Sequence, residues 1–459
     1  MKAFTRIGIL AGLTALAFLV SPDVTRAQNY RGCAWPIEAS PEGSGNVVLP
    51  ESSARDFFMP FDSKQYDTMT IKGTYPNVRY FSFVVYNTSG LGTPVVGSAG
   101  DLYDAEIAPD PGSANPFVEP GAGNGTYTVI ISHGGLTSGN TIGFSSDFVW
   151  VFLRMYVPSA DPSEGGHTLT GGVPLPTISV TENGTTEELP PCSPVQKLPD
   201  VEALLNGLFP VDLQGTEGTP SSDRLWFAPV INPPAVMPNP HNKYLAMLPG
   251  DNYQPGRIIV IHGKAPGFPD TFHGSPIWVP ARGFRTVDMR YWSVCNNDLA
   301  LPMSVVNCLA DLTTDLKGKY YTIVISDDLV RPKWLRLRPK VNWLPYGDEQ
   351  YPKMVLFRNM LPAPGFHFAV QSALPGCGFN FNFPDIPASD DLDTKGECAQ
   401  QVMGDYYPVA VWCDKSTFVA GGIRACLKGA IGTRSGAVAR HQRPFGQREL
   451  GAPIRPVAG

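Results

Sequence analysis

The chain has 459 residues, 43% of them hydrophobic and 17% charged, with a formal net charge of −6 at pH 7. That length supports two or three domains, each with its own core. Residues 427–459 carry a net +5 and residues 1–27 a net +2, which leaves about −13 on residues 28–426, the wrong sign for a nucleic-acid face.

Residues 1–27 have the layout of a secretory signal peptide: Lys2 and Arg6, an apolar run over 7–20, then Thr25 and Ala27 before a cut near Gln28. No later stretch reaches the roughly 20 apolar residues that a spanning helix needs. The expectation is a secreted or periplasmic protein with no transmembrane segment after signal removal. Eight cysteines follow the signal, an even number that fits disulfides in an oxidising compartment. Neighbour pairing joins Cys33 to Cys192, Cys295 to Cys308, Cys377 to Cys398 and Cys413 to Cys426. No CxxC spacing for zinc occurs.

With 47 Gly and 46 Pro, long helices are interrupted and short strands favoured. Strand-like runs recur as a four-part pattern. Residues 71–76 (IKGTYP) match 261–266 (IHGKAP), and 80–87 (YFSFVVYN) match 289–296 (MRYWSVCN). That second part continues to 102–104 (LYD) with 309–311 (LAD); the third is 126–132 (TYTVIIS) with 320–326 (YYTIVIS), and the fourth 151–158 (VFLRMYVP) with 355–362 (VLFRNMLP). Four matches in one order indicate an internal duplication. The fold class is therefore all-β: two tandem antiparallel β-sandwich (jelly-roll-like) domains.

In chain order, the first β-sandwich repeat spans 28–192. Its oxygen-rich stretch holds Asp101, Asp104, Asp110 and Asn115. Alternation on its last shared strand puts Phe152, Arg154 and Tyr156 on one face and Val151, Leu153 and Met155 on the other. Arg358 holds the same place in the second copy, and the repeated Asp104 and Asp311 are the expected partners of these two arginines. A linker, 193–211, contains the one clear helix signal, 200–208 (DVEALLNGL).

The second β-sandwich repeat, 212–373, has about eighteen residues, 267–284, that the first lacks. Loops vary where scaffolds persist, so this insertion is the first place to look for function. His262, Asp270 and His273 are the candidate catalytic residues: imidazoles with a carboxylate can serve acid/base or transition-metal chemistry, although no HxH or HExxH spacing unites them. The Ile-His-Gly triplet at 261–263 has a counterpart at 71–73, which points to a structural turn. Trp278, Tyr291, Trp292, Trp334 and Trp343 are rings that a sugar-binding face could use.

Residues 374–426 read as a cysteine-rich appendage. Within them Asp391, Asp393 and Glu397 surround Gly396 as in the opening of an EF-hand loop, so these are the metal candidates and calcium the cofactor they would take. Lys395 stands where a third ligand belongs. The basic tail, 427–459, has the composition of a disordered end.

Residues 291–294 (YWSV), 341–345 (VNWLP) and the strand 353–362 together resemble a domain of unknown function in exported bacterial proteins, in which a Trp-Ser strand precedes an Asn-Trp-Leu-Pro turn and an Arg-bearing strand. The resemblance implies a β-rich fold and no particular activity. The leading expectation is an exported, non-catalytic ligand-binding or envelope-associated protein, its ligand a glycan or an envelope component. A hydrolase with its site in the second repeat and a structural protein that self-assembles through strand edges stand beside it.

Overall fold

The computed structural model describes residues 32–41, 45–88, 95–123, 125–157, 170–192, 196–197, 223–232, 237–250, 253–300, 303–380 and 389–431. Residues 1–27, the predicted signal peptide, the predicted helix at 200–208 and residues 432–459 of the basic tail lie outside them. Among the described residues strands make up 43% and helices 15%, so that part of the protein is mostly β.

The N-terminal half contains β1 (Ile37–Ala39), β2 (Ala54–Asp62), β3 (Thr68–Thr74), β4 (Tyr80–Thr88), β5 (Val95–Tyr103) and β6 (Thr126–His133). It continues with β7 (Thr141–Phe144), β8 (Phe148–Tyr156), β9 (Thr177–Glu182), β10 (Thr185–Glu188) and β11 (Gln196–Lys197). Two sheets result, in the orders β11-β1-β2-β8-β4-β5 and β10-β9-β3-β6-β7.

The C-terminal half contains β12 (Arg224–Leu225), β13 (Ala228–Ile231), β14 (Asn242–Met247), β15 (Arg257–Lys264), β16 (Met289–Asp298) and β17 (Val305–Ala310). Then come β18 (Tyr320–Ser326), β19 (Asn342–Pro345), β20 (Lys353–Pro362), helix α1 (Val370–Cys377), β21 (Phe379–Asn380), helix α2 (Ser389–Met403), β22 (Val409–Asp414) and helix α3 (Lys415–Ile431). Its sheets run β21-β13-β14-β20-β16-β17 and β12-β22-β15-β18-β19. From β2 to β8 and from β14 to β20 the two halves share one strand order, and β22 stands where β9 stands in the first half.

Alternation of side chains explains each core. Val151, Leu153 and Met155 of β8 point inward to meet Ile71, Val129 and Ile178 from the facing sheet. In the second half Val355 and Phe357 meet Ile261, Ile323 and Trp412. Cysteine pairing is Cys33–Cys192, Cys295–Cys308, Cys377–Cys398 and Cys413–Cys426, the neighbour pairing expected along the chain.

Three local expectations are revised. Residues 374–426 are no appendage, because β22 pairs with β15 inside the five-stranded sheet. The Asn-Trp-Leu-Pro run is β19, a strand parallel to β18, rather than a turn. Gly73 and Gly263 likewise lie inside β3 and β15, opposite Tyr127 and Tyr321. A Cβ on either glycine would fall 2.5 Å from the hydroxyl of that tyrosine. The repeated glycine thus makes room for a buried ring on the next strand.

Register also corrects the repeat by two residues. Ser82 faces Arg154 across β4 and β8, and Ser293 faces Arg358 across β16 and β20. The equivalent motifs are therefore 79–82 (RYFS) and 290–293 (RYWS). A slip of two leaves every side chain on its own face, which is why alternation alone could not detect it.

The outer faces of the two six-stranded sheets contribute Tyr80 and Tyr156, and Tyr291 and Met360, to a shared cluster between the halves. There the matched residues exchange partners. Arg79 Nη2 donates to Asp311 Oδ2 at 2.6 Å, and Arg290 Nη2 to Asp104 Oδ2 at 2.7 Å. Each arginine also reaches the other's carbonyl oxygen, Arg79 to Arg290 at 2.9 Å and Arg290 to Arg79 at 3.1 Å. Burial pushes the carboxyls of Asp104 and Asp311 above the ordinary aspartate value, while the facing guanidinium opposes the shift.

Asp104 and Asp311 are therefore not the partners of Arg154 and Arg358, because the opposite half's Arg290 and Arg79 already hold them. Arg154 binds Asp56 at 2.6 Å and the Met237 carbonyl at 2.6 Å. Arg358 donates to the Leu49 carbonyl at 2.9 Å and lies 3.8 Å from Glu51. Leu49 and Met237 occupy matching places before β2 and β14, and both are left-handed, with φ of 56° and 48°. A non-glycine residue held there costs roughly 1 kcal/mol or more, so the arginine contacts offset local strain.

The insertion 267–284 is a strap across this junction. The Pro269 carbonyl accepts from Arg79, the Thr271 hydroxyl donates to the carbonyls of Val78 and Arg79, and the Ile277 N–H bonds the Phe117 carbonyl. Its main role is to clamp the halves.

Two outcomes follow for stability. Arg79→Met strands Asp311 and is expected to cost about 3–5 kcal/mol in equilibrium denaturation, with the double variant Arg79→Met/Asp311→Leu recovering part of the loss. Strict additivity of the two changes would contradict the pairing. Gly263→Ala is expected to cost about 1–3 kcal/mol through overpacking against Tyr321, and an unchanged denaturation midpoint would contradict the cradle.

Candidate functional site

The outer face of the second half's five-stranded sheet is covered only in part. Helix α3, broken by non-helical backbone at Gly422 (φ 64°), packs Phe418 and Ile423 from its two parts over Ile258, Val260, Val324 and Val411. Coverage stops before the end of β15 and the start of β18. Antiparallel register sets Lys264 opposite Tyr320 and His262 opposite Thr322, all on that outer face.

Aromatic side chains collect at this end. His262 stacks on Tyr320 with centroids 5.5 Å apart and planes 14° apart, and its Nδ1 lies 3.0 Å from Thr322 Oγ1. The Lys264 ammonium sits 4.4 Å from the centre of the Tyr406 ring. Tyr406 stacks with Phe368 at 5.6 Å and meets Phe366 edge-on at 4.9 Å. Tyr320 Oη donates to Asp405 Oδ2 at 3.3 Å, closing the patch.

Distant segments of sequence build it. Phe366 and Phe368 precede α1, whereas Asp405 and Tyr406 follow α2, and Cys377–Cys398 ties the two helices together. Gly404 turns the chain in a left-handed conformation, φ 56°, that presents Asp405 and Tyr406. Tyr407 anchors the turn by bonding both the N–H and the carbonyl of Phe227. Phe368 remains 46% exposed and Tyr320 38%, and Asp405 is exposed beside them.

Partial burial pushes the His262 imidazole below its ordinary value, with a hydrogen bond to the Tyr321 backbone opposing. The Tyr406 contact raises the Lys264 ammonium above its ordinary value. Near neutral pH the patch therefore offers a neutral imidazole, a cation, a carboxylate and flat rings. The first half has Lys72, Thr74 and Thr126 at the register positions of His262, Lys264 and Tyr320, without a ring among them.

The expected site residues do not converge. Asp270 and His273 do meet, at 2.6 Å, on a short 3-10 turn of the strap, with His273 half exposed. His262 instead joins the aromatic patch on another face. Asp391, Asp393 and Glu397 lie on α2, so the EF-hand-like segment is a helix and not a loop, with Asp393 and Glu397 one turn apart on one face and Asp391 on another. Of the oxygen-rich stretch, Asp104 holds Arg290, Asp101 lies 2.7 Å from His241 and Asn115 donates to the carbonyls of Asp104 and Ile107. Among the predicted sugar-binding rings Tyr291 and Trp292 are buried, while Trp278 is exposed on the strap.

Two groupings were missed from sequence. Tyr80 Oη and His241 Nδ1 share a hydrogen bond at 2.5 Å, and His241 Nε2 lies 2.7 Å from Asp101, making a Tyr–His–Asp chain from core to surface. Tyr80 is fully buried, which keeps a substrate from its hydroxyl. The ligating atoms of Glu51, Cys295 and Cys308 lie within 4.8 Å of one another, but the two sulfurs are joined in a disulfide and so lack the thiolates a metal would take. Neither could be found from spacing, because their members come from opposite halves.

No family model and no curated protein matches the chain. It is similar to an uncharacterized protein from Burkholderia cenocepacia, with 14% identity, a TM-score of 0.45, and coverage of 75% of this chain and 87% of that one. A protein from Vibrio parahaemolyticus is similar at 10% identity with a TM-score of 0.37, covering 69% and 87%. Among the described residues no helix is long and apolar enough to cross a membrane.

Glu51 supplies the pH-dependent outcome. Its carboxylate accepts from the Tyr291 hydroxyl, and burial raises it above the ordinary value of 4.5 despite Arg358. An acid raised in the folded state contributes stability below its unfolded value and loses it as pH rises through the folded one. Glu51→Gln is thus expected to flatten the stability profile just above pH 4.5 and to leave stability at neutral pH equal or higher. Denaturation midpoints across pH check this, and a steeper decline in the variant would contradict it.

Proposed function

We propose that the protein is an exported, non-catalytic binding module that takes a saccharide at the aromatic patch formed by His262, Lys264, Tyr320, Phe368, Asp405 and Tyr406. The observation that carries this reading is the pairing of exposed, stacked rings with a cation and a carboxylate. A sugar presents a C–H face to rings and hydroxyls to charged groups, and this mixture of surfaces fits both. The same reading takes the halves as tandem jelly-roll-like β-sandwiches derived by duplication, with repeats at 28–192 and 212–373. Matched strand order and the repeated Arg-Tyr-aromatic-Ser motif support it. Four disulfides support export to the periplasm or beyond. The hydrolase alternative loses its proposed constellation, since His262 is separate from Asp270 and His273.

The test is isothermal titration of the mature protein against soluble cell-envelope and plant oligosaccharides. Phe368→Ala and Tyr406→Ala are each expected to weaken the best ligand roughly two- to tenfold, the range for one aromatic contact, and Trp278→Ala to leave it unchanged. Saccharide affinity indifferent to both patch variants, or no saccharide bound at all, would sink the proposal.

A further inference from the structure

The connection between β18 and β19 differs from its counterpart in length and charge. Residues 134–140, between β6 and β7, number seven and include no charged side chain. Residues 327–341, between β18 and β19, number fifteen and carry Arg331, Lys333, Arg336, Arg338 and Lys340, with Asp327 and Asp328 at the start. In a body of about −13, this is a local reversal of sign. Three apolar residues interleave with the cations and face solvent: Leu329 is 92% exposed, Val330 73% and Leu337 92%.

The loop is held in shape from beneath. Leu335 is buried against the face shared with Phe418 and Val324. Arg331 Nη2 donates to the Val341 carbonyl at 2.6 Å and the Arg338 carbonyl at 3.5 Å, drawing the two ends together. Arg338 Nη2 donates to the Val419 carbonyl of α3 at 2.8 Å, and Asp328 accepts from Trp334 Nε1 at 3.3 Å. Folding therefore uses Leu335, Trp334 and the Arg331 bonds, and leaves Leu329, Val330 and Leu337 in water. Lys333 and Arg336 are exposed, and no ion pair holds either among the described residues.

We infer that this loop docks the protein on an anionic lipid surface. Exposed leucines held within a closed cationic loop are what such a surface uses at once: apolar side chains enter the acyl boundary while neighbouring cations meet phosphate headgroups. A soluble polyanion would engage the cations and leave the leucines without a partner. The inference does not depend on the saccharide reading, because the patch lies at the other end of β18.

Sedimentation of the mature chain with vesicles tests it, using phosphatidylcholine alone or mixed with phosphatidylglycerol. The expected result is binding to the mixed vesicles only, weakened roughly tenfold or more by Leu329→Ser/Leu337→Ser and by Lys333→Glu/Arg336→Glu, with an unchanged melting temperature for both. The leucine variant keeps every cation, those of residues 432–459 included, so binding driven by charge alone would survive it. That survival would overturn the inference, as would equal binding to both vesicles or binding to neither. Tighter binding to dextran sulfate that ignores the leucines would assign the loop to polyanions instead.

Discussion

The reciprocal exchange of Arg79 and Arg290 between the halves is the constraint around which the rest is arranged. Each half buries an aspartate whose cation comes from the other. Such pairs contribute little net stability relative to apolar packing, but a misplaced partner leaves a buried charge uncompensated. Their value is in fixing one relative placement of two sheets that could otherwise slide. Arg154 and Arg358 repeat the logic through carbonyls, and the strap threads over Arg79 to close it. Outer surfaces are then free to differ between the halves without disturbing the junction.

That division explains where chemistry collects. Residues matched between the halves meet the opposite half at the junction: Asp104 and Asp311 each hold the other half's arginine, Arg154 and Arg358 each reach a carbonyl of the other half, and Tyr80 and Tyr291 join one shared cluster. Unmatched residues face outward. The aromatic patch occupies positions that hold Lys72, Thr74 and Thr126 in the first half, and the basic loop replaces a short neutral one. The insertion at 267–284 is the exception, an unmatched segment spent on holding the halves together.

Much of this architecture was legible in the sequence. Alternation correctly assigned the two faces of β8, because strand periodicity is a local signal; neighbour pairing correctly assigned the disulfides, three of which span 13 to 21 residues while Cys33–Cys192 spans 159 and followed only from order along the chain. The partners of Arg154 were not legible. Asp56 sits across a strand pair and Met237 in the other half, and no spacing encodes either. The two-residue shift at Arg79 and Arg290 was invisible for the reason that makes strands readable at all, their period of two. The run at 409–414 (VAVWCD) carries a strand signal that the surrounding cysteines obscure, so the sequence alone sets residues that complete a sheet apart as an appendage. Of the patch, only His262 stands out in the sequence, since the other rings, Tyr320, Phe366, Phe368 and Tyr406, come from separate segments spread over 86 residues.

The strand β18 has a consequence for scale. It begins at Tyr320, in the patch, and ends at Ser326, where the basic loop departs. Seven extended residues span roughly 20 Å. A ligand at one end and a bilayer at the other would therefore be kept apart by a rigid spacer of fixed length, buried in a sheet and unable to shorten. The protein would sort its ligands by how far they stand off the surface as well as by their chemistry, reaching those carried on a stalk of about that height and passing over those that lie flat.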